Sequence, residues 1–211
     1  MGQTGADRVY ICEVVARDGF QNEARFVETA DKIALIDALS ATGVAKIEAT
    51  AFVSPKAVPN MRDAAQVMTG VTRAPGVVYS ALVPNLRGAV AALEAGTDEL
   101  NLVFSASDSH NLANVRMTSA ESLRAFEGIF ELGRAQGKPV AVTIATSFGC
   151  PFEGRIEAQR ILDFYGRCVA MGASAMALAD TTGMGNPAQV ERLVGGALAL
   201  RPDTPLGLHF H

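Results

Sequence analysis

Val9-Tyr-Ile-Cys-Glu-Val-Val-Ala-Arg-Asp-Gly-Phe-Gln-Asn-Glu23 runs from an apolar segment into a knot of charge. Residues 9–12 are rich in β-branched and aromatic side chains, which predicts a buried strand. Arg17, Asp18 and Gly19 then put a cation, a carboxylate and a flexible turn where that strand becomes a loop. Glu13 and Glu23 bracket the pair. Charge this dense beside a buried strand is costly unless something compensates it, and a divalent metal or an anionic substrate would do so. The competing expectation is an ordinary strand-end ion pair, Arg17 with Asp18 or with Glu13 or Glu48.

Outward from this stretch the same pattern repeats. Ile33, Leu35, Ile36 and Leu39 predict a helix over 30–42, stopped by Gly43. A strand over 45–50 carries Glu48 near its end. Pro55 and Pro59 then bar a regular helix, so a shaped loop is expected before a short helix at 63–68. A strand at 76–83 leads to a helix at 85–95 that Gly96 ends. A strand at 99–104 leads to a polar loop at 105–111. A long helix follows at 119–136, capped at Thr118 or Ser119 and stopped by Gly137. Further strands are expected at 139–146, 173–179 and 205–211, with helices at 157–171 and from Asn186-Pro187 to about residue 200.

Seven strands alternating with six helices imply a parallel sheet with helical crossovers. The choice is between an open doubly wound sheet and a closed (β/α)8 TIM barrel. No G-x-G-x-x-G follows a strand, which weighs against a dinucleotide-binding sheet. A barrel gathers polar groups at the C-terminal ends of many strands. Here Arg17/Asp18, Glu48, Asn85, Asn101/Ser105, Ser147/Cys150, Asp180 and His209/His211 all fall at such ends. We therefore expect a single α/β domain over residues 1–211, a (β/α)8 barrel. A full barrel has eight units and roughly 250 residues. The pattern stops after a seventh strand, so the C-terminal part is expected to be missing.

Bulk properties narrow the function. The 211 residues are 49% hydrophobic and 19% charged, with a net charge of -4. That is a globular composition with no Lys/Arg run, which argues against nucleic acid or a membrane surface as partner. Apolar stretches break well before the ~18 residues of a membrane span. Met1-Gly-Gln-Thr-Gly-Ala-Asp7 lacks the basic and apolar segments of a secretory leader. Cys12, Cys150 and Cys168 cannot all pair and have no C-x-x-C spacing. Free thiols in a reducing, cytoplasmic setting are expected.

His209-Phe-His211 carries the strongest local chemistry. Residues i and i+2 of a strand face one side, about 6.6 Å apart along it. Two neutral imidazoles can thus converge on one divalent ion. Phe210 would turn into the other packing layer. In a closed barrel the first and seventh strands flank the eighth, so Asp18 can add an oxygen ligand. Two histidines and one carboxylate leave coordination positions for water and substrate. This donor set suits Mg, Mn, Zn or Co. Arg17, permanently cationic, suits an oxyanion such as a thioester enolate. Glu48 and Asp180, at strand ends, suit either a base or a group orienting a histidine or Arg17. His110 is expected at the surface, and Cys150 in a structural turn.

Arg17-Asp-Gly-Phe-Gln-Asn-Glu23, Ile47-Glu48, Phe52-Val-Ser-Pro-Lys56, Val58-Pro-Asn-Met61, Pro84-Asn-Leu86, Gly149-Cys-Pro-Phe-Glu-Gly154, Asp180-Thr-Thr-Gly183 and His209-Phe-His211 occur in one order along the chain. Together they resemble the hydroxymethylglutaryl-CoA lyase family. Arg-Asp-Gly with a later His-x-His is shared by a wider superfamily of metal-dependent aldolases and acyl-CoA condensing enzymes. The Phe-Val-Ser-Pro and Gly-Cys-Pro-Phe-Glu-Gly blocks point to the lyase.

The resemblance implies a divalent cation, Mg or Mn, and retro-Claisen cleavage of 3-hydroxy-3-methylglutaryl-CoA to acetyl-CoA and acetoacetate. That is chemistry of leucine degradation and ketone-body formation. It implies Asp18, His209 and His211 as metal ligands, and Arg17, Glu48 and Asp180 as catalytic residues. An acyl-CoA substrate and a homodimer or higher homo-oligomer are the expected partners. Val15-Ala16 replace the family's Gly-Pro, and Phe20, Ala24 and Ala51 replace its Leu, Lys and Ser. Phe20 and Ala51 would reshape the acyl pocket toward a homologous branched substrate. The family's fourth ligand, an Asn, and its catalytic Cys loop would lie beyond residue 211. The rival expectations are a Claisen-type transferase or a 4-hydroxy-2-oxoacid aldolase of the same superfamily, and a non-catalytic barrel binding protein.

Overall fold

The computed structural model describes residues 9–211. The segment read above for a leader, residues 1–7, lies outside the described residues. Seven strands form one sheet in chain order: β1 (Cys12–Glu13), β2 (Lys46–Ala51), β3 (Val78–Leu82), β4 (Glu99–Ser105), β5 (Val140–Ala145), β6 (Ala175–Asp180) and β7 (Leu206–Phe210). The strand pairs are parallel. The helices are α1 (Thr29–Ser40), α2 (Ala64–Gly70), α3 (Leu86–Glu94), α4 (Asp108–Val115), α5 (Ser119–Gln136), α6 (Ala158–Met171) and α7 (Pro187–Leu200). Parallel strands in chain order with helical crossovers are the architecture of a TIM barrel, here with seven strands. No described helix is long and apolar enough to cross a membrane.

The chain divides into two compact units. The first holds residues up to Leu82 together with Ala91–Asp98. Its β1 pairs with β2 through Cys12↔Lys46 and Glu13↔Ile47. β2 pairs with β3, and the register slips between Glu48 and Thr50, a bulge close to the end of the strand. Ile36, Ile47, Val67 and Tyr79 form its core. Lys32 is buried there too, its Nζ donating to Asp63 Oδ1 at 2.7 Å and to the Asn60 carbonyl at 2.6 Å.

The second unit holds Val83–Val90 and Glu99–His211. On β4, Leu100, Leu102 and Phe104 are fully buried, while Asn101 and Val103 alternate to the other face. Phe104 meets Phe126 of α5 and Phe164 of α6 edge-on, with ring centroids at 6.0 and 5.3 Å. Such edge-to-face packing favours aromatic pairs beyond their buried area. Thr118 and Glu121 close a capping box on α5, and Gly137 ends it at φ 61. That left-handed geometry is open to glycine at little cost. Asn186 and Gln189 cap α7 in the same reciprocal way, with Pro187 in its first turn.

Two expectations are corrected. Residues 105–111 are not a loop: α4 begins at Asp108, with the Ser107 side chain accepting the His110 amide as N-cap. Buried Asn111 holds this helix down, its side chain bonding the Ser105 amide, the Met117 carbonyl and the Ser122 hydroxyl. The helix thus rests on polar anchoring that hydrophobic periodicity does not register. Residues 9–12 are not a buried strand either. Val9, Tyr10 and Ile11 are 85%, 66% and 59% exposed, and the strand is confined to Cys12–Glu13, at the edge of the sheet.

Candidate active site

In the first unit the site is built on a π-helical turn, Val15–Gly19. Oε1 of Glu13 starts the turn by accepting the amides of Val14 and Val15, each at 2.8 Å. A carboxylate is favourable there because the first amides of a helix lack intrahelical acceptors. The Phe20 amide reaches the Val15 carbonyl five residues back, the bond that widens the turn. Arg17 and Asp18 therefore sit inside a helical turn and not in a strand-to-loop break. Gly19 belongs to the same turn, and a Cβ there would meet Val15 Cγ2 at 3.0 Å.

Arg17 is the hub of this half. Its Nε donates to Oε1 of Glu48, and its Nη1 donates to Oδ1 of Asp18 at 2.7 Å. The Arg17 and Glu48 side chains are 11% and 4% exposed. Of the acidic partners expected for Arg17, Asp18 and Glu48 are engaged; Glu13 is spent on the turn. The Asn22 side chain bonds the Asp18 carbonyl at 3.1 Å, and Asn60 reaches the Glu23 carbonyl at 2.7 Å. Asn60 lies on the Lys32–Asp63 pair, so a buried ion pair braces the segment that follows the turn.

In the second unit, Asp180 ends β6 and is 4% exposed. Its Oδ1 accepts the Met184 amide at 2.8 Å and its Oδ2 the Gly185 amide at 3.0 Å. Both carboxylate oxygens thus shape the turn after the strand. On β7 the imidazoles of His209 and His211 stack at 4.7 Å with an interplanar angle of 28°. The two-residue spacing does bring them to one side. His209 is half-buried and His211 exposed. Phe210, expected in a packing layer, is 53% exposed, with its ring 5.8 Å from that of Phe148.

Other strand-end residues turn out to be braces. Asn85 Oδ1 accepts the Gly88 amide at 2.9 Å and so caps α3. Ser147 bonds the Ile144 carbonyl at 2.7 Å. Cys150 is buried, its Sγ 3.0 Å from Ser107 Oγ, in a turn closed by paired backbone bonds to Gly154. That is the structural role expected of it. His110, expected at the surface, is half-buried on α4, with Nδ1 2.6 Å from Ser105 Oγ. Burial pushes its imidazole below the usual histidine value. Ser105, Ser107, His110 and Cys150 were not recognisable as one polar cluster. The available signal was Ser107 as an N-cap, three residues before His110.

A family model described as HMGL-like matches residues 8–211. Hydroxymethylglutaryl-CoA lyase YngG of Bacillus subtilis is 40% identical over 204 residues, 97% of this chain and 68% of that protein. The 3-hydroxy-3-isohexenylglutaryl-CoA/hydroxy-methylglutaryl-CoA lyase of Pseudomonas aeruginosa is 38% identical over the same shares. Among solved structures, an HMG-CoA lyase of Acinetobacter baumannii in complex with coenzyme A and 3-methylmalate has a TM-score of 0.94 at 47% identity. It matches 100% of this chain, which spans 68% of it.

Proposed function

The chain belongs to the HMGL-like family, and on that premise we propose that it acts as a carbon–carbon lyase on an acyl-CoA. The substrate is 3-hydroxy-3-methylglutaryl-CoA or a close homologue, cleaved to acetyl-CoA and acetoacetate. The observation that carries this is the match, over nearly the whole chain, to lyases of that name in sequence and in structure. The Pseudomonas relative, named for a longer branched substrate as well, supports the homologue that Phe20 and Ala51 suggested.

We assign the divalent metal to Asp18, His209 and His211, the ligands that the family resemblance implies. One carboxylate and two imidazoles fit a catalytic Mg or Mn centre that keeps open positions. When bound, the ion supplies Lewis-acid polarisation of the substrate oxygens.

Cleavage requires loss of the tertiary hydroxyl proton, breaking of the bond to the thioester α-carbon, and protonation of the acetyl-CoA enolate. Arg17 would donate to the enolate oxygen, where negative charge develops. Glu48 would aim Arg17 through its Nε bond. Asp180, with both oxygens on backbone amides, would hold the turn after β6 rather than move a proton. Leucine degradation and ketone-body formation, a homo-oligomer and a cytoplasmic location complete the proposal. Cys12, Cys150 and Cys168 without a disulfide suit that compartment.

The test is incubation of the native gene product with 3-hydroxy-3-methylglutaryl-CoA and Mg²⁺, with acetoacetate as the readout. Activity should vanish on chelation and return on adding the metal, and Asp18→Ala should lose both metal and activity. No acetoacetate from this substrate or a branched homologue would overturn the reading.

A further inference from the structure

We propose a second ligand site in this protein, a cavity that binds phosphate groups where α6 and α7 begin. The cavity is an open cleft of about 370 Å³. That is enough for a phosphorylated small molecule, since ligand pockets run from roughly 300 to 1,000 Å³. Ile156 and Leu193 form its apolar floor and are 9% and 3% exposed. Arg155, Arg192, Asn186 and Gln189 are among its lining residues. No carboxylate is among its described lining residues, and Glu157 pairs with Arg155 beside it.

The charges are placed for a ligand rather than for the fold. Arg192 makes no ion pair among the described residues. Arg155 lies 3.3 Å from Glu157, with side chains 69% and 72% exposed. A pair so exposed contributes little and is readily exchanged for a better anion. The amides, by contrast, are already committed. Asn186 and Gln189 cap α7 together, and Gln189 Nε2 donates to the Phe148 carbonyl at 3.1 Å. The amides are therefore held by the fold, and the two exposed arginines are what a ligand would meet.

Guanidinium forks match phosphate oxygens two at a time. Two of them around one cavity call for a dianion, and a diphosphate or phosphate ester fits better than a lone carboxylate. A free phosphorylated metabolite and the diphosphate of coenzyme A share this chemistry. The assignment stands on the cavity alone and does not depend on the lyase reading.

Calorimetric titration of the native protein with inorganic pyrophosphate, without added divalent cation, tests it. Binding should weaken as salt rises. Arg155→Ala and Arg192→Ala should each weaken it at least about tenfold. Arg201→Ala, beyond the other end of α7, should leave it unchanged. Repeating the titration with coenzyme A present separates the sources. Undisturbed binding upholds a separate site for a phosphorylated metabolite, and competition by coenzyme A would make the cavity part of the acyl-CoA site and overturn a second site. No binding at millimolar pyrophosphate, or binding indifferent to both arginines, overturns it.

Discussion

Arg17 donates its Nε–H to Oε1 of Glu48, joining the π-helical turn to the bulged end of β2 across 31 positions of sequence. Both side chains are nearly buried, so the guanidinium has little freedom to turn away. If Arg17 meets the enolate and Glu48 aims it, the two act as one unit. Arg17→Gln should lower turnover about 10²–10³-fold, the cost of losing one oxyanion donor. Glu48→Gln should cost less, and adding it to Arg17→Gln should cost almost nothing more. Kinetics on the three variants, with metal content measured alongside, checks this. Additive losses, or loss of metal in Arg17→Gln, would remove the proposed roles.

Asp180 accepts two backbone amides of the turn after β6. Asp180→Ala should destabilise the protein by about 1–3 kcal/mol, since it takes the acceptor from two part-buried donors. Gly185→Ala should move stability the same way, because a Cβ there would lie 2.9 Å from Asp180 Oδ2 and 3.2 Å from Phe148 Cβ. Urea denaturation of both variants gives the values. If Asp180→Ala keeps full stability and loses only turnover, the carboxylate is a proton carrier instead.

Lys32 and Asp63 form a buried ion pair at 2.7 Å, with side chains 3% and 5% exposed. Lys32→Met should cost about 3–5 kcal/mol by leaving Asp63 charged and buried. Adding Asp63→Leu should restore much of that loss. Because Asn60 links the pair to the Glu23 carbonyl, the single variant should also loosen the segment after Asp18. Hydrogen exchange at residues 20–26 would report it, and unchanged protection would break the link.

His110 gives the fold a pH dependence of defined sign. Burial lowers its folded value beneath the ordinary 6.5. The unfolded chain therefore takes up the proton first as pH falls. The stabilisation is fully present above pH 6.5 and is lost as pH falls through the folded value. Ser105 faces its Nδ1, and Phe152 lies against the ring at 6.0 Å. Glu153, held low chiefly by the Ser109 amide, adds a loss of the same sign at more acid pH. His110→Gln should flatten the stability profile between about pH 7 and 5, measured by denaturation at each pH.

Much of the architecture was legible because local chemistry and global fold agree. Thr118-x-x-Glu121 announced the start of α5 and Gly137 its end, and the structure holds both. Asn186-Pro187 did the same for α7. The crowd of polar residues at strand ends identified a barrel, since each apolar run had to stop where chemistry begins. α4 stayed hidden because Asn111, a buried polar residue, does the anchoring that an apolar stripe usually does. His110 was misplaced with it. Position alone marked Asp180, but its work depends on the path of residues 181–185, which no local pattern encodes.

The π-helical turn has an evolutionary corollary. A helix advances about 100° per residue, so removing one residue from Val15–Gly19 would restore an ordinary turn and swing every later side chain by that angle. Arg17 would no longer face Glu48. The segment should therefore accept exchanges of residue type, as at Ala16, far more readily than a change of length. Across related chains, insertions and deletions are expected to stop short of this turn on both sides.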